Sequence, residues 1–299
     1  MDQIKIFDTH SDMLYDLDRK TKAGFINRFE VTHVAQLKNS AIGGAIWTMY
    51  SPDEFDLILA LKHALSQINM RLLPGFKVVL GLEGLRNLKS IDDLDEIYDL
   101  GFRHAMVTWN EENKYATGAK SNPDRGVTEE GAKLYKKMEE KGMIIDLAHL
   151  NEKSFYEALA LVNKNIMYSH GCCKALCDHV RNLTNDQMIA LKKKDGLFGL
   201  TLANNFVSKD KDKQDLEHFI DHVDYAVKFM GIDNICFGFD FMDYLSEFPN
   251  CNIVDVPDAP HAHLIIEGLR RRGYSEGDIK KICYDNFYRR FGHLVHEFK

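Results

Sequence analysis

Within the stretch IKIFDTHSDM (4–13), a short apolar run ends on His10 and Asp12, two positions apart. Side chains at that spacing leave a strand on the same side. An imidazole and a carboxylate therefore project together, suited either to bonding each other or to gripping a cation. Similar polar residues close other apolar runs: Glu83 in GLEG, His149 in DLAH, His170 in YSH and Asp240 in GFDF. Taken singly, each has an ordinary structural use. A lone histidine there is more often a hydrogen-bonded core or capping residue, Glu83 could form an ion pair, and Asp12 could cap the next helix. Taken together, three carboxylates in one pocket would repel each other and be costly to desolvate, and a divalent cation removes both penalties. Imidazole nitrogen mixed with carboxylate oxygen suits zinc. Six such groups exceed the needs of one ion, whereas a pair of ions bridged by one carboxylate would use them.

Positioning these residues together requires the elements that carry them to converge. Eight apolar runs of strand length recur: IKIFDTH, AIGGAIWTMY, FKVVLGLEG, FRHAMVTWN, MIIDLAHL, NIMYSH, GLFGLTLA and NICFGFDF. Most are separated by helical patterns, among them TEEGAKLYKKMEEKG and DLEHFIDHVDYAVKFMG, several with capping residues at their ends. Runs rich in Ile, Val and Leu without polar alternation suit strands covered on both faces. Eight of them alternating with helices predict an α/β fold of the closed (β/α)8 TIM-barrel type, whose active sites lie at the C-terminal strand ends. An open doubly wound sheet is the competitor, but the first strand leads into no GxGxxG turn. The 299 residues are read as one barrel domain over 1–299 with a C-terminal helical extension.

Net charge is −7, and no basic cluster offers a phosphate footprint, so nucleic acid is not an expected partner. The opening MDQIKIFDTH lacks a charged-then-apolar leader, and no run of about eighteen apolar residues occurs, so no membrane partner is expected. The closing RRFGHLVHEFK lacks the hydrophobic tail of a lipid-anchor signal. Six cysteines without zinc-ribbon spacing read as reduced thiols of a cytoplasmic protein. Cys172 and Cys173, just past His170, are read as small packing residues as readily as site residues. His261 and His263 repeat the i, i+2 spacing but follow Pro257 and Pro260 and open a helix, where they diverge. His218 and His222 lack the glutamate of HExxH and read as a helix face.

The order of these blocks resembles the membrane dipeptidase (renal dipeptidase) family of zinc metallopeptidases. The resemblance rests on DTHSD (8–12), GLEG (81–84), GVTEEGAKLYKKMEEKGMIIDLAH (126–149), SHGCCKALCDHVRNLT (169–184), GIDNICFGFDF (231–241) and LRRRGYSEGDIKKICYDNFYRRF (269–291). It implies a barrel with two zinc ions that hydrolyses dipeptides through a hydroxide bridging the metals, and suggests a homodimer. Carried over by motif, His10 and Asp12 would bind one ion, His149 and His170 the other, and Glu83 would bridge them. Asp240 would orient or deprotonate the attacking water, and Arg181 would pair with the free carboxylate of the substrate. One departure stands out: where such enzymes carry a histidine at the end of strand four, VTWN places Trp109, whose indole donates a hydrogen bond but takes up no proton. Dipeptides with a C-terminal D-residue fall within the implied substrates. Two other classes remain open: a two-metal hydrolase of a cyclic amide, lactone or phosphoester, and a non-catalytic metal-binding barrel. The HxD pair and Glu83, in place of HxH and a modified lysine, favour the dipeptidase.

Overall fold

The computed structural model describes residues 4–298; Met1 to Gln3, the start of the stretch read as lacking a leader, and Lys299, the end of the stretch read as lacking an anchor tail, lie outside the described residues. Eight parallel strands close on themselves in chain order. They are β1 (Ile6–Ser11), β2 (Ile42–Tyr50), β3 (Lys77–Glu83), β4 (Phe102–Met106), β5 (Ile144–Asp146), β6 (Ile166–Gly171), β7 (Leu197–Leu200) and β8 (Ile235–Phe237). Parallel strands need crossovers, and helices such as Glu129–Glu140, Asn185–Lys193 and Leu216–Met230 supply them around the outside. Their starts are set locally. Thr128 accepts a hydrogen bond from the Gly131 amide, Thr184 and Gln187 form a reciprocal capping box, and Asp215 accepts from the His218 amide. This is the expected (β/α)8 barrel.

Burial divides in two. The larger apolar cluster fills the space between strands and helices, with Leu80, Leu82, Phe102, Leu134, Phe198, Phe219 and Ile265 fully buried. A second cluster takes one residue from every strand but β4: Phe7, Ile46, Val79, Ile144, Met167, Leu197 and Cys236. Phe287 and Phe291, from the C-terminal helix Asn286–Phe291, join it, and the Phe287 ring stacks on Phe7 with centroids 4.0 Å apart. The barrel is thus a packed core at that end, and polar groups are left for the other end.

Four strands are shorter than the apolar runs predict: β4 stops at Met106, before Trp109, and β7 at Leu200, and two others fall short of site residues. MIIDLAHL and NICFGFDF read as strands reaching His149 and Asp240, yet β5 stops at Asp146 and β8 at Phe237. His149 and Asp240 have φ of 71° and 56°, a left-handed backbone that no strand can include. Asp12 also lies just past its strand, at the start of helix Met13–Lys22, but its carboxylate caps nothing there.

Close approach of backbones inside the barrel explains two glycines. The Ser169 carbonyl points inward, 2.8 Å from the Thr9 hydroxyl, which also lies 3.0 Å from the Phe237 carbonyl. A Cβ at Gly199 or Gly238 would run into that Ser169 oxygen, a backbone atom that cannot swing aside. Gly238→Ala is therefore expected to lower the unfolding free energy by about 3 kcal/mol, the upper end of overpacking costs. Urea denaturation checks this, and a loss below about 0.5 kcal/mol would contradict the packing argument.

Candidate metal centre

All six residues singled out by type meet at the C-terminal end of the barrel. His10 leaves β1, Glu83 ends β3, His170 lies in β6, and Asp12, His149 and Asp240 follow β1, β5 and β8 within three residues. None is more than 7% exposed. Glu83 stands at the centre. Its Oε1 lies 2.8 Å from His149 Nε2, 3.6 Å from His10 Nε2 and 3.8 Å from His170 Nε2. His10 Nε2 in turn lies 3.7 Å from both Asp12 Oδ1 and Asp240 Oδ1. Three sets of donors each gather within 4.8 Å: His10, His170 and Asp240; Glu83, His149 and His170; His10, Asp12 and Glu83.

The turn after Glu83 needs Gly84, at φ 88°, to bring its amide to the Met106 carbonyl. The left-handed turns at His149 and Asp240 are held from outside. The His149 carbonyl accepts from the Ala119 amide at 2.7 Å, and the Asp240 carbonyl accepts from Asn252 Nδ2 at 3.0 Å. Two buried aspartates clamp the strand ends in pairs. Asp8 Oδ1 accepts from the amides of His10 and Phe239, joining β1 to the end of β8. Asp146 Oδ1 accepts from the amides of Ala148 and Ser169, joining β5 to β6, while its Oδ2 lies 2.8 Å from His104 Nε2. Each accepted amide lies within one residue of a site histidine or aspartate, or belongs to it. No spacing rule pointed to Asp8, Asp146 or His104. The only available signal was a carboxylate two or three residues before His10 and His149, with none before His170.

Partners on the far ring nitrogens decide which imidazole atoms face inward. His149 Nδ1 lies 3.1 Å from Asn110 Oδ1, and His170 Nδ1 lies 2.7 Å from Ser169 Oγ. The Asn110 oxygen can only accept, which favours the His149 tautomer with its proton on Nδ1 and a lone pair on Nε2, whereas Arg181 Nη1, 2.6 Å from the same Nδ1, favours the other. Burial, followed by the nearby Arg181 and His10, holds both imidazoles well below their ordinary range, hence neutral. Their Nε2 atoms approach each other to 2.9 Å. Burial also pushes Glu83 well up, with Asp12 and Asp240 adding to it, and raises Asp240 to about 6. For His10, burial pulls downward but Glu83, Asp12 and Asp240 outweigh it and lift the imidazole to about 10.

The residues present fit divalent cations. Both nitrogens of His10 are buried without any hydrogen-bond partner, although three carboxylates surround the ring. Tetrahedral zinc with bonds of about 2.1 Å separates its ligand atoms by about 3.4 Å, close to the spacing around His10 Nε2. Facing lone pairs and crowded carboxylates are each unfavourable alone and favourable around positive charge.

Arg181 and Trp109 line the same cavity, of about 180 Å³, with Asp12, Glu83, His149 and Asp240. The Arg181 guanidinium is almost buried; its Nη1 lies 2.6 and 2.7 Å from the two His149 nitrogens, and its Nη2 lies 3.0 Å from His170 Nε2. Trp109 is half-buried, its ring centroid 5.2 Å from Tyr50 and 6.0 Å from His149. The residues set aside by spacing stay outside the cluster. His261 lies beside Asp258 and His263 beside the Pro260 carbonyl. His218 lies beside its own helix cap, Asp215, and His222 bonds the Cys173 amide and the Val207 carbonyl. Cys172 and Cys173 are buried packing thiols.

A closed (β/α)8 barrel whose C-terminal mouth gathers imidazoles and carboxylates is the framework of the metal-dependent hydrolases. The particular family follows from comparison: the model of the membrane dipeptidase family, peptidase family M19, matches residues 71–296, and the chain belongs to that family. Among curated relatives, "Dipeptidase aclJ" of Aspergillus oryzae is 30% identical over 222 residues, 73% of this chain and 51% of its own length. An "Uncharacterized dipeptidase" of Schizosaccharomyces pombe is 29% identical over 209 residues, 64% of this chain and 50% of its own length. The chain thus spans about half the length of the curated relatives it matches. A solved metallo peptidase of Rhodobacter sphaeroides, bound to a phosphinate mimic of the dipeptide L-Ala-D-Ala, superposes with a TM-score of 0.83 at 21% identity, over 98% of this chain and 99% of that one. A solved dipeptidase of family M19 gives 0.84 at 22% identity, over 98% of both chains. These two establish the fold. As a metallopeptidase family, it implies a divalent metal here, with candidate ligands already clustered. Among the described residues no helix is long and apolar enough to cross a membrane.

The Asp146 clamp can be tested by stability alone. Burial pulls its carboxyl upward, but His104, Ser169 and the Ala148 amide outweigh this and hold it below the ordinary range. A depressed carboxyl contributes stability that is present above its unfolded value of about 3.9 and lost as pH falls through the folded value. Asp146→Leu, which strands two buried amides and an imidazole, is expected to cost about 3 kcal/mol or more near pH 7. The deficit should shrink below about pH 4 in urea titrations. A constant deficit, or none, would contradict the clamp.

Proposed function

We propose that this chain is a metallo-dipeptidase that hydrolyses the peptide bond of dipeptides, holding two divalent ions that the donor types favour as zinc. The observation that carries this reading is the position of Glu83, one carboxylate oxygen within 2.8 to 3.8 Å of three histidine nitrogens that come from different strands. In this reading His10 and Asp12 would hold one ion, His149 and His170 the other, and Glu83 would be shared between them. Bound ions of this kind lower the pKa of water towards neutrality and polarise a carbonyl oxygen.

The chain's own residues do the rest. Asp240, buried beside the His10 ring, accepts the proton of the attacking water and passes it to the departing amine. Thr48 Oγ1 donates to Asp12 Oδ1 at 2.8 Å, and Asn110 and Ser169 fix the rings of His149 and His170, so these side chains need little reorganisation. Arg181 offers a guanidinium fork for the α-carboxylate of the substrate. Trp109, in the cavity wall, donates at most one hydrogen bond and leaves proton transfer to Asp240. A cavity of about 180 Å³ suits a small substrate, since drug-sized ligands occupy roughly 300 Å³ or more. The chain is read as one folding unit over 1–299. All six cysteines are unpaired, which supports a reducing, cytoplasmic setting.

A panel of dipeptides assayed with and without a chelator is the direct test. Turnover that stops on chelation and returns with added zinc supports the reading, and chelator-insensitive turnover or none contradicts it. Glu83→Gln should leave the purified protein with less than half the metal of the wild type by elemental analysis; full occupancy would remove Glu83 as the bridge. Arg181→Ala should raise KM for dipeptides about 100-fold while metal content holds, the cost of losing a buried charged partner. Equal loss of metal in that variant would count against its role.

A further inference from the structure

We propose that Lys120 forms a second carboxylate-binding position in the cavity, which selects dipeptides whose C-terminal residue has an acidic side chain. This rests on the dipeptidase reading and adds a substrate class to it. Lys120 lines the same cavity as Arg181 and His179 but is exposed where Arg181 is buried, so it lies further out along one wall. Its backbone is not free to drift. The Lys120 amide donates to the Asn110 carbonyl at 3.0 Å, and the adjacent Ala119 amide donates to the His149 carbonyl at 2.7 Å. Gly118 pairs with Leu150 in an antiparallel bridge. The lysine is therefore strapped to the two residues that shape the floor of the site.

Its ammonium has no carboxylate within ion-pair distance among the described residues, unlike Lys137, which pairs with Asp92 and Asp95, and it has no carbonyl partner like those of Lys114. An unpaired cation at a cavity wall is a recognition element waiting for an anion. His179 does not supply one. Its ring lies against Phe206 with centroids 4.2 Å apart, and burial, then Arg181 and Lys120, pushes it down to about 4, so it stays neutral. The remaining surfaces do not favour an acidic side chain: Met242, Leu245 and Phe248 are apolar, and the floor carries Asp12, Glu83 and Asp240. With the α-carboxylate taken by Arg181, Lys120 is the other fixed positive charge among the lining residues; Asn110, Asn204 and Asn205 offer only neutral amides, which serve an asparagine or glutamine as well as an acid.

The test compares isosteric pairs, dipeptides ending in aspartate against asparagine and in glutamate against glutamine, on the metal-loaded protein. The wild type is expected to favour the acidic member about fivefold or more in kcat/KM. The ratio should fall to about one in Lys120→Met and invert in Lys120→Glu. Calorimetric binding of the same pairs gives the same ratios whether or not turnover occurs, so a failure of the dipeptidase reading stays distinguishable from a failure here. Equal ratios for the wild type, a preference that survives Lys120→Met, or no binding of any pair would overturn the proposal.

Discussion

The constraint on which the rest depends is electrostatic. Glu83, Asp12 and Asp240 are buried around the His10 imidazole, with two further imidazoles turned inward. In a space sheltered from water, such charges are far costlier than at a surface unless compensated. Opposite charge from His10 and Arg181 does not match three carboxylates, and both His10 nitrogens stay without a hydrogen bond. Divalent cations resolve this conflict, in keeping with the metal that a metallopeptidase family implies and with the clustered candidate donors.

A centre of this kind asks for precision from a fold that supplies it at long range. The clustered imidazoles and carboxylates come from the ends of β1, β3, β5, β6 and β8, separated by as many as 230 residues of sequence between His10 and Asp240. The barrel brings them within a few ångströms, and the aspartate clamps then fix neighbouring strand ends against each other. Packing at the opposite end, where Phe7 meets Phe287, removes any polar demand there. Rigidity at the floor and polar convergence at the mouth are thus two aspects of one arrangement.

Much of this was legible in the residues themselves. Apolar runs of strand length alternating with capped helices are sufficient to announce a barrel, because both faces of each strand are buried. The six donor residues were legible too, since each closes such a run. Less visible was how they are held. His149 and Asp240 looked like strand residues because DLAH and GFDF continue the apolar pattern, yet their left-handed backbones depend on Ala119 and Asn252, far away in the chain. Asp8, Asp146 and His104 read as ordinary polar residues because their partners, such as Phe239 for Asp8, are distant in sequence. Asn110 and Ser169 were silent for the same reason. Lys120 offered no periodicity or motif, and only its place on the cavity wall distinguishes it from other surface lysines.

The chain belongs to the membrane dipeptidase family and gathers imidazoles and carboxylates at its barrel mouth, with Trp109 in the cavity wall. The most direct measurement is anomalous diffraction at the zinc edge from crystals grown with zinc. The account expects two peaks flanking the Glu83 carboxylate, one beside His10 and Asp12 and the other beside His149 and His170. A single peak, or density only at surface histidines such as His261 and His263, would contradict it.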